Sequence, residues 1–353
     1  MPVLAAVGTA VPPYLIAQAD SQEFARNLFA EAFKDIDRLL AVFESAQVEQ
    51  RHFCTPLEWF ATSPTWEEKN RLYLEHAVRL SKEAVENCLQ QVGIGPQDVD
   101  SILFVSSTGV ATPSIDAHLF NALGLRSDIK RLPLWGLGCA GGAAGLARGC
   151  DLAMADPDSL VLVVALELCG LTFVNGDRSK SNLIATSLFA DGAAAVLICG
   201  DEAAAKKGIR GPQLLAARST IWPETLDVMG WDVQTAGLKV IFSKDIPTIV
   251  ATKIRPVTEA FLGEQNLTRA DLSHYIAHPG GTKVLNAYEE ALALPADALR
   301  HARDILRTHG NMSSCTVLFV LARELNDPHH AGDYGLLFAL GPGFSSEQVL
   351  LRW

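Results

Sequence analysis

The chain has no excess of basic residues, no Cys-x-x-Cys pair, no low-complexity tract and no apolar run long enough to cross a bilayer. Each absence excludes something. Lys plus Arg total 29 against 40 Asp plus Glu, a formal charge of −11. An acidic surface repels a polyanion, so no nucleic-acid partner is expected. The longest apolar stretch, Leu160 to Leu171, contains Glu167 and falls short of the ~20 residues that a membrane helix needs. The first residues, Met1 to Gly8, have no basic flank, and Pro12-Pro13 soon interrupt them, so no targeting segment and a soluble, cytoplasmic protein are expected. Cys54, Cys88, Cys139, Cys150, Cys169, Cys199 and Cys315 are odd in number and scattered. That argues against a disulfide framework, and no His or Cys grouping has ligand spacing, so no metal site is expected.

What is present is apolar. Hydrophobic residues make up 49% of the 353 positions, too many for a disordered chain. The length suits two domains, or two similar halves sharing an interface. Ile102–Ser106, Leu160–Leu166 and Ala193–Ile198 read as strands buried on both faces. Tyr73–Val92 and Ala140–Ala155 have the length and composition of helices, which gives an α/β chain with part of its sheet parallel. Asp201–Gly208, charged and alanine-rich, is the natural join, dividing 1–207 from 208–353. The second part repeats the theme, with a strand at Tyr275–Ala277, helices from Thr282 to about Leu294 and from Met312 to about Leu325, and a strand at Tyr334–Leu340. The helices after Cys139 and after Asn311 lack a polar face, which marks both as buried.

Three residues have contexts suited to chemistry. Cys139 stands between Gly136, Gly138 and Gly141-Gly142, which permit a sharp strand-to-helix turn and close approach of the helix to its neighbours. A thiol there feels the positive end of the helix dipole and resembles a nucleophile elbow with cysteine in place of serine. His278 ends a strand before Pro279-Gly280-Gly281 and can hold a thiolate as an ion pair. The other eight histidines, His329 and His330 among them, read as packed or surface residues. Asn311, between Gly310 and a buried helix, can cap that helix or aim its amide at a developing oxyanion. Gly341-Pro342-Gly343 reads as a simple turn.

Together Gly138-Cys139-Ala140-Gly141-Gly142, Leu188–Ala195, His278–Gly281, Gly310–Ser314 and Gly341-Pro342-Gly343 resemble, in order and spacing, the chalcone-synthase-like or type III polyketide synthase family. The resemblance runs end to end, and Arg51-His52-Phe53 with Pro56–Trp59 look more like its bacterial members. It implies a thiolase-like αβαβα five-layer sandwich of two duplicated halves, a homodimer, and a catalytic Cys139, His278 and Asn311. It places a gatekeeping phenylalanine at Phe189 and a second gate at Val240, without the usual aromatic. Leu340 stands where plant enzymes carry phenylalanine. Cavity positions fall on Ser107, Thr108, Glu167, Cys169, Thr172 and Ser313, Thr112 reaches the partner's cavity, and Arg51 sits near the patch for the CoA phosphates.

The resemblance implies no resident cofactor, with acyl-CoA and malonyl-CoA as substrates. Less aromatic bulk at Val240 and Leu340 speaks against a planar starter. The expected activity is therefore fatty-acyl loading, decarboxylative extension with malonyl-CoA, and cyclisation to a pyrone or resorcinol. Two alternatives stand beside it. One is an initiating ketoacyl synthase that uses acyl-carrier protein, and the other is a thiolase-fold scaffold that binds acyl-CoA without catalysis.

Overall fold

The apolar runs pair as strands because branched or small side chains fill both faces while the backbone groups are satisfied by neighbours. A computed structural model describes all 353 residues. Its main sheet has nine strands: β1 (Val3–Ala10), β2 (Ser101–Val105), β3 (Lys130–Leu134), β4 (Leu160–Leu168), β5 (Asp191–Cys199), β6 (Gln213–Ile221), β7 (Leu272–Ala277), β8 (Tyr334–Gly341) and β9 (Ser345–Arg352). They lie in the order β7-β8-β9-β6-β1-β5-β4-β2-β3.

From the centre outward this is one pattern used twice. In the first half β1, β5 and β4 pair antiparallel and β4 pairs β2 in parallel. In the second, β6, β9 and β8 pair antiparallel and β8 pairs β7 in parallel. The outer β3 has no counterpart. The halves join through the single pair Val3 and Gln213 of β1 and β6. The duplicated, thiolase-like arrangement expected above is the one observed.

Alternation along the strands then builds the layers. The helices that matter are α1 (Trp66–Gln91), α2 (Gly141–Ala155), α3 (Ile246–Glu264), α4 (Thr282–Leu292) and α5 (Thr316–Glu324). Leu103, Val105, Val161 and Val163 pack with Leu146, Ala147 and Cys150 of α2, in the cluster that also holds α5. Their neighbours Ile102, Phe104, Leu162 and Val164 face Tyr73, Ala77 and Leu80 of α1 on the other side. The two helices without a polar face are thus the middle layer. α3 and α4 add Val250, Ile254, Phe261 and Leu285 to the core. No helix is long and apolar enough to cross a membrane.

Two helices start elsewhere than expected. α1 begins at Trp66 because Thr65 and Glu68 form a capping box, the Thr65 N–H donating to Glu68 Oε2 at 2.7 Å. α5 begins only at Thr316, because Ser313 adopts a left-handed φ of 49° and the chain first makes a tight turn, Ser313–Cys315. That turn shapes the site.

Candidate active site

Cys139 lies in a short turn, Gly138–Ala140, immediately before α2. Gly138 has φ +47°, and a Cβ there would stand 2.7 Å from Pro342. A Cβ on Gly341 would come within 2.6 Å of the Ala140 methyl. The Gly341-Pro342-Gly343 segment is therefore more than a surface turn: it packs directly against the turn that carries the thiol. Cys139 is 5% exposed, and its Sγ donates to Ser313 Oγ at 3.7 Å.

His278 follows β7, its backbone N–H bonded to Phe338 O at 2.9 Å. It is 2% exposed, and neither ring nitrogen has a hydrogen-bond partner. Asn311 is pinned beside Phe189 by its own N–H to Leu188 O (2.8 Å) and by the Ala190 N–H to its carbonyl (2.9 Å). Its Oδ1 accepts from the Ser313 N–H at 2.8 Å while its Nδ2 donates to Gly280 O at 3.2 Å. The asparagine thus holds the turn before α5 and also ties it to the loop that carries His278. Its other amide hydrogen is left for the Cys139 sulfur.

Burial governs the charges. It pushes the Cys139 thiol up to about 12, against hydrogen bonds from Ser313 and Asn311 that favour the thiolate. It pushes His278 down to about 3. The expectation that the helix end would expose a thiolate is outweighed by desolvation. Each group is therefore neutral on its own.

Glu167 supports this floor from β4. Its Oε2 accepts from the Ser107 N–H at 3.0 Å and its Oε1 from Ser314 Oγ–H at 2.7 Å. Ser107 Oγ accepts from the Gly138 N–H at 3.0 Å, and Thr108 Oγ1 from the Leu168 N–H at 2.9 Å. Burial raises Glu167 to about 7. A carboxyl raised in the folded state binds its proton more tightly than in the unfolded chain. Its stabilising contribution is complete below the unfolded value and lost as pH rises through about 7. Glu167→Gln does not titrate. Urea unfolding should therefore show the variant gaining on the wild type by about 3 kcal/mol between pH 4.5 and 7.5. A difference independent of pH would show that Glu167 is ionised throughout.

Phe189 lies near Phe242 (ring centroids 5.5 Å apart) and Trp231 (6.4 Å). Trp231 Nε1–H donates to Ser107 O at 2.8 Å. Cys169, Thr172, Phe189 and Val240 line one pocket together with apolar residues such as Phe24, Phe60 and Phe173. The expected loss of aromatic bulk at the second gate needs correction: Val240 is in the pocket, but Phe242, on the same face of its strand, supplies a ring against Phe189. Alternation along Gly237–Phe242 is the signal that finds it. Trp231, on the paired strand Met229–Gln234, and Ser314 were also missed.

Arg51 needs a firmer correction. It is 2% exposed, donates from Nη1 to Phe189 O at 2.8 Å, and lies 5.3 Å from the Phe53 ring centroid. Burial pushes it down to about 9 despite the attraction of Asp191. A Cβ on Gly310 (φ +73°) would meet its stem at 2.7 Å. Arg51 is a buried brace under Phe189 and Asn311 that also lines the pocket shared by Phe189, Cys169, Thr172 and Val240, rather than an exposed surface cation. Leu340 is buried in the central core. Thr112 is exposed on this chain, near exposed Val110 and Trp135.

Two family profiles match the chain: chalcone and stilbene synthases, N-terminal domain, over residues 1–202, and the corresponding C-terminal domain over residues 213–353. A Bacillus subtilis (strain 168) protein carrying a provisional chalcone synthase name is 45% identical over 361 residues, covering 100% of this chain and 99% of that protein. The 1,3,6,8-tetrahydroxynaphthalene synthase of Streptomyces peucetius subsp. caesius is 40% identical, covering 99% and 93%. The crystal structure of 1,3,6,8-tetrahydroxynaphthalene synthase from Streptomyces coelicolor A3(2), a bacterial type III polyketide synthase, superposes with a TM-score of 0.94 at 30% identity over 99% of both chains.

Proposed function

Since the chain belongs to the chalcone and stilbene synthase family, and is a type III polyketide synthase and so an acyltransferase-type condensing enzyme, we propose that it primes with a fatty acyl-CoA. In this reading it extends the chain with malonyl-CoA and releases a pyrone or resorcinol-type product. Three Streptomyces relatives are named for a tetrahydroxynaphthalene and a fourth for 3,5-dihydroxyphenylacetyl-CoA, so starter and product differ among the relatives.

The roles follow the family resemblance, and the burial of Cys139, His278 and Asn311 supports them. Cys139 Sγ gives its proton to His278 and attacks the starter thioester, and the departing CoA thiolate takes that proton back. Malonyl-CoA then loses CO₂. The enolate oxygen accepts hydrogen bonds from His278 and from the Asn311 amide hydrogen that otherwise serves the Cys139 sulfur. The enolate carbon attacks the acyl carbonyl on Cys139, and the C–S bond breaks to release the Cys139 thiolate, which a proton from solvent returns to the thiol. Phe189, with Phe242 and Trp231 behind it, excludes water and orients the malonyl group.

One observation carries the choice of starter: the pocket that Phe189 lines, about 50 Å³ in volume, is mainly apolar, with Ile16, Phe24, Phe60, Phe173, Leu238 and Val240 on its walls. Each methylene buried there is worth about 0.8 kcal/mol. Acyl-CoA starters of increasing length, with products read by mass spectrometry, test it. Activity should hold or rise with chain length. Val240→Phe should lower kcat/KM for the longest starters about tenfold or more, equal to removing roughly two buried methylenes, and spare the short ones. Good turnover of malonyl-CoA alone with no acceptance of longer chains would sink the fatty-acyl reading. Equal effects of Val240→Phe on every starter would remove this pocket as the acyl slot.

A further inference from the structure

In the second half, away from the residues of the active site, three residues from separate segments converge. His274 comes from β7, Glu324 from the last position of α5, and His329 from the loop before β8. Glu324 Oε1 lies 2.8 Å from His274 Nδ1 and 3.6 Å from His329 Nε2. The Glu324 side chain is 3% exposed and that of His329 is 8%. His329 Nε2 is buried with no hydrogen-bond partner, yet it points at the carboxylate. An imidazole nitrogen left so, beside two other donors, is costly unless something is bound there.

We propose that His274, Glu324 and His329 form a binding site for one divalent transition-metal ion of the zinc type, with solvent completing its coordination. Zn–N and Zn–O bonds of about 2.0–2.2 Å in a tetrahedron put neighbouring ligand atoms about 3.3 Å apart, between the two separations seen. The outer groups fit as well. His274 presents its other nitrogen, Nε2, to Asp333 Oδ2 at 3.3 Å, the carboxylate that steadies a ligating imidazole. The His329 ring stacks on Trp353 at 4.2 Å and 4°, which fixes its plane. His301, 3.8 Å from Glu324 Oε2, is already bonded to Asp327 at 2.7 Å and stays outside the site.

Position gives the ion a task. β7 leads to His278, four residues or about 13 Å beyond His274. α5 follows the turn that begins at Asn311. A metal joining their far ends would staple together the two elements that hold the histidine and the asparagine of the active site.

The test uses full-length protein, stripped with a chelator, desalted and titrated with Zn²⁺ by calorimetry, with Co²⁺ absorption reporting geometry. One equivalent should bind per chain with micromolar affinity or better, a tetrahedral Co²⁺ spectrum should appear, and Zn²⁺ should raise the melting temperature. His329→Gln should weaken binding by at least about tenfold and remove the thermal shift. Asp333→Asn, on the loop, should weaken it while still folding, which keeps the test sound if His329→Gln does not fold. Cys139→Ala should bind as the wild type does, and acid should release the ion as the histidines protonate. Binding below one equivalent, unchanged affinity in both loop variants, or loss of binding in Cys139→Ala would overturn the proposal.

Discussion

Cys139→Ala should lower product formation from acyl-CoA and malonyl-CoA by about 10³-fold or more, because no second group can carry the acyl chain. Cys169 lines the neighbouring pocket, but burial and the nearby carboxylates raise its thiol with no hydrogen bond to offset them, whereas Cys139 has Ser313 and Asn311. It cannot substitute. Malonyl-CoA decarboxylation should survive in part, since the enolate rests on His278 and Asn311. That separation distinguishes an enzyme from a scaffold that only binds acyl-CoA, for which alanine would change neither rate. His278→Gln should be nearly as damaging, and the double variant little worse than either single one, as expected of groups acting on one step. Chromatography of products with a parallel assay of CO₂ release reads both activities. Product formation within tenfold of the wild type in Cys139→Ala would remove the thiol from the mechanism.

The core of this site was legible because its constraints are local. Gly138, Gly141 and Gly142 around Cys139 and Gly310 before Asn311 are each demanded by a close contact that the structure displays, and Gly281 after His278 by its φ of +154°. β2, β4 and β5 were legible for a related reason, being apolar on both faces. What was hidden depends on pairing between distant segments. Arg51 looked like a surface cation, yet it alternates with Phe53 on the inward face of Gln50–Phe53, and its partner is the Phe189 carbonyl. Trp231 and Phe242 reach Phe189 only because two short strands fold over it. The start of α5 depends on the left-handed turn at Ser313, held by Asn311 Oδ1, which apolar periodicity cannot reveal. The trio of His274, Glu324 and His329 has no linear spacing to betray it.

Gly142→Ala should lower stability by about 3–4 kcal/mol or prevent folding. The added carbon would sit well inside van der Waals contact distance of the Ser314 carbonyl oxygen and 3.0 Å from Val317 Cγ1. Neither neighbour can give way cheaply. Ser314 is held by its bond to buried Glu167, and Val317 lies in α5, packed on all sides. Relief would require α2 and α5 to separate, and with them Cys139 and the Ser313–Asn311 turn. Any folded variant should therefore lose activity beyond what its stability explains. Gly208→Ala supplies the control. That glycine also has a positive φ, +66°, but nothing lies within 4 Å of an added Cβ. Its substitution should cost only the backbone strain, about 1–2 kcal/mol, with activity intact. Urea unfolding of both variants, alongside product assays, compares steric exclusion with strain. If Gly142→Ala falls within about 1 kcal/mol of the wild type, the two middle helices are less tightly opposed than their contacts imply. The position of the thiol would then rest on the Gly341-Pro342-Gly343 floor instead of on the helix pair.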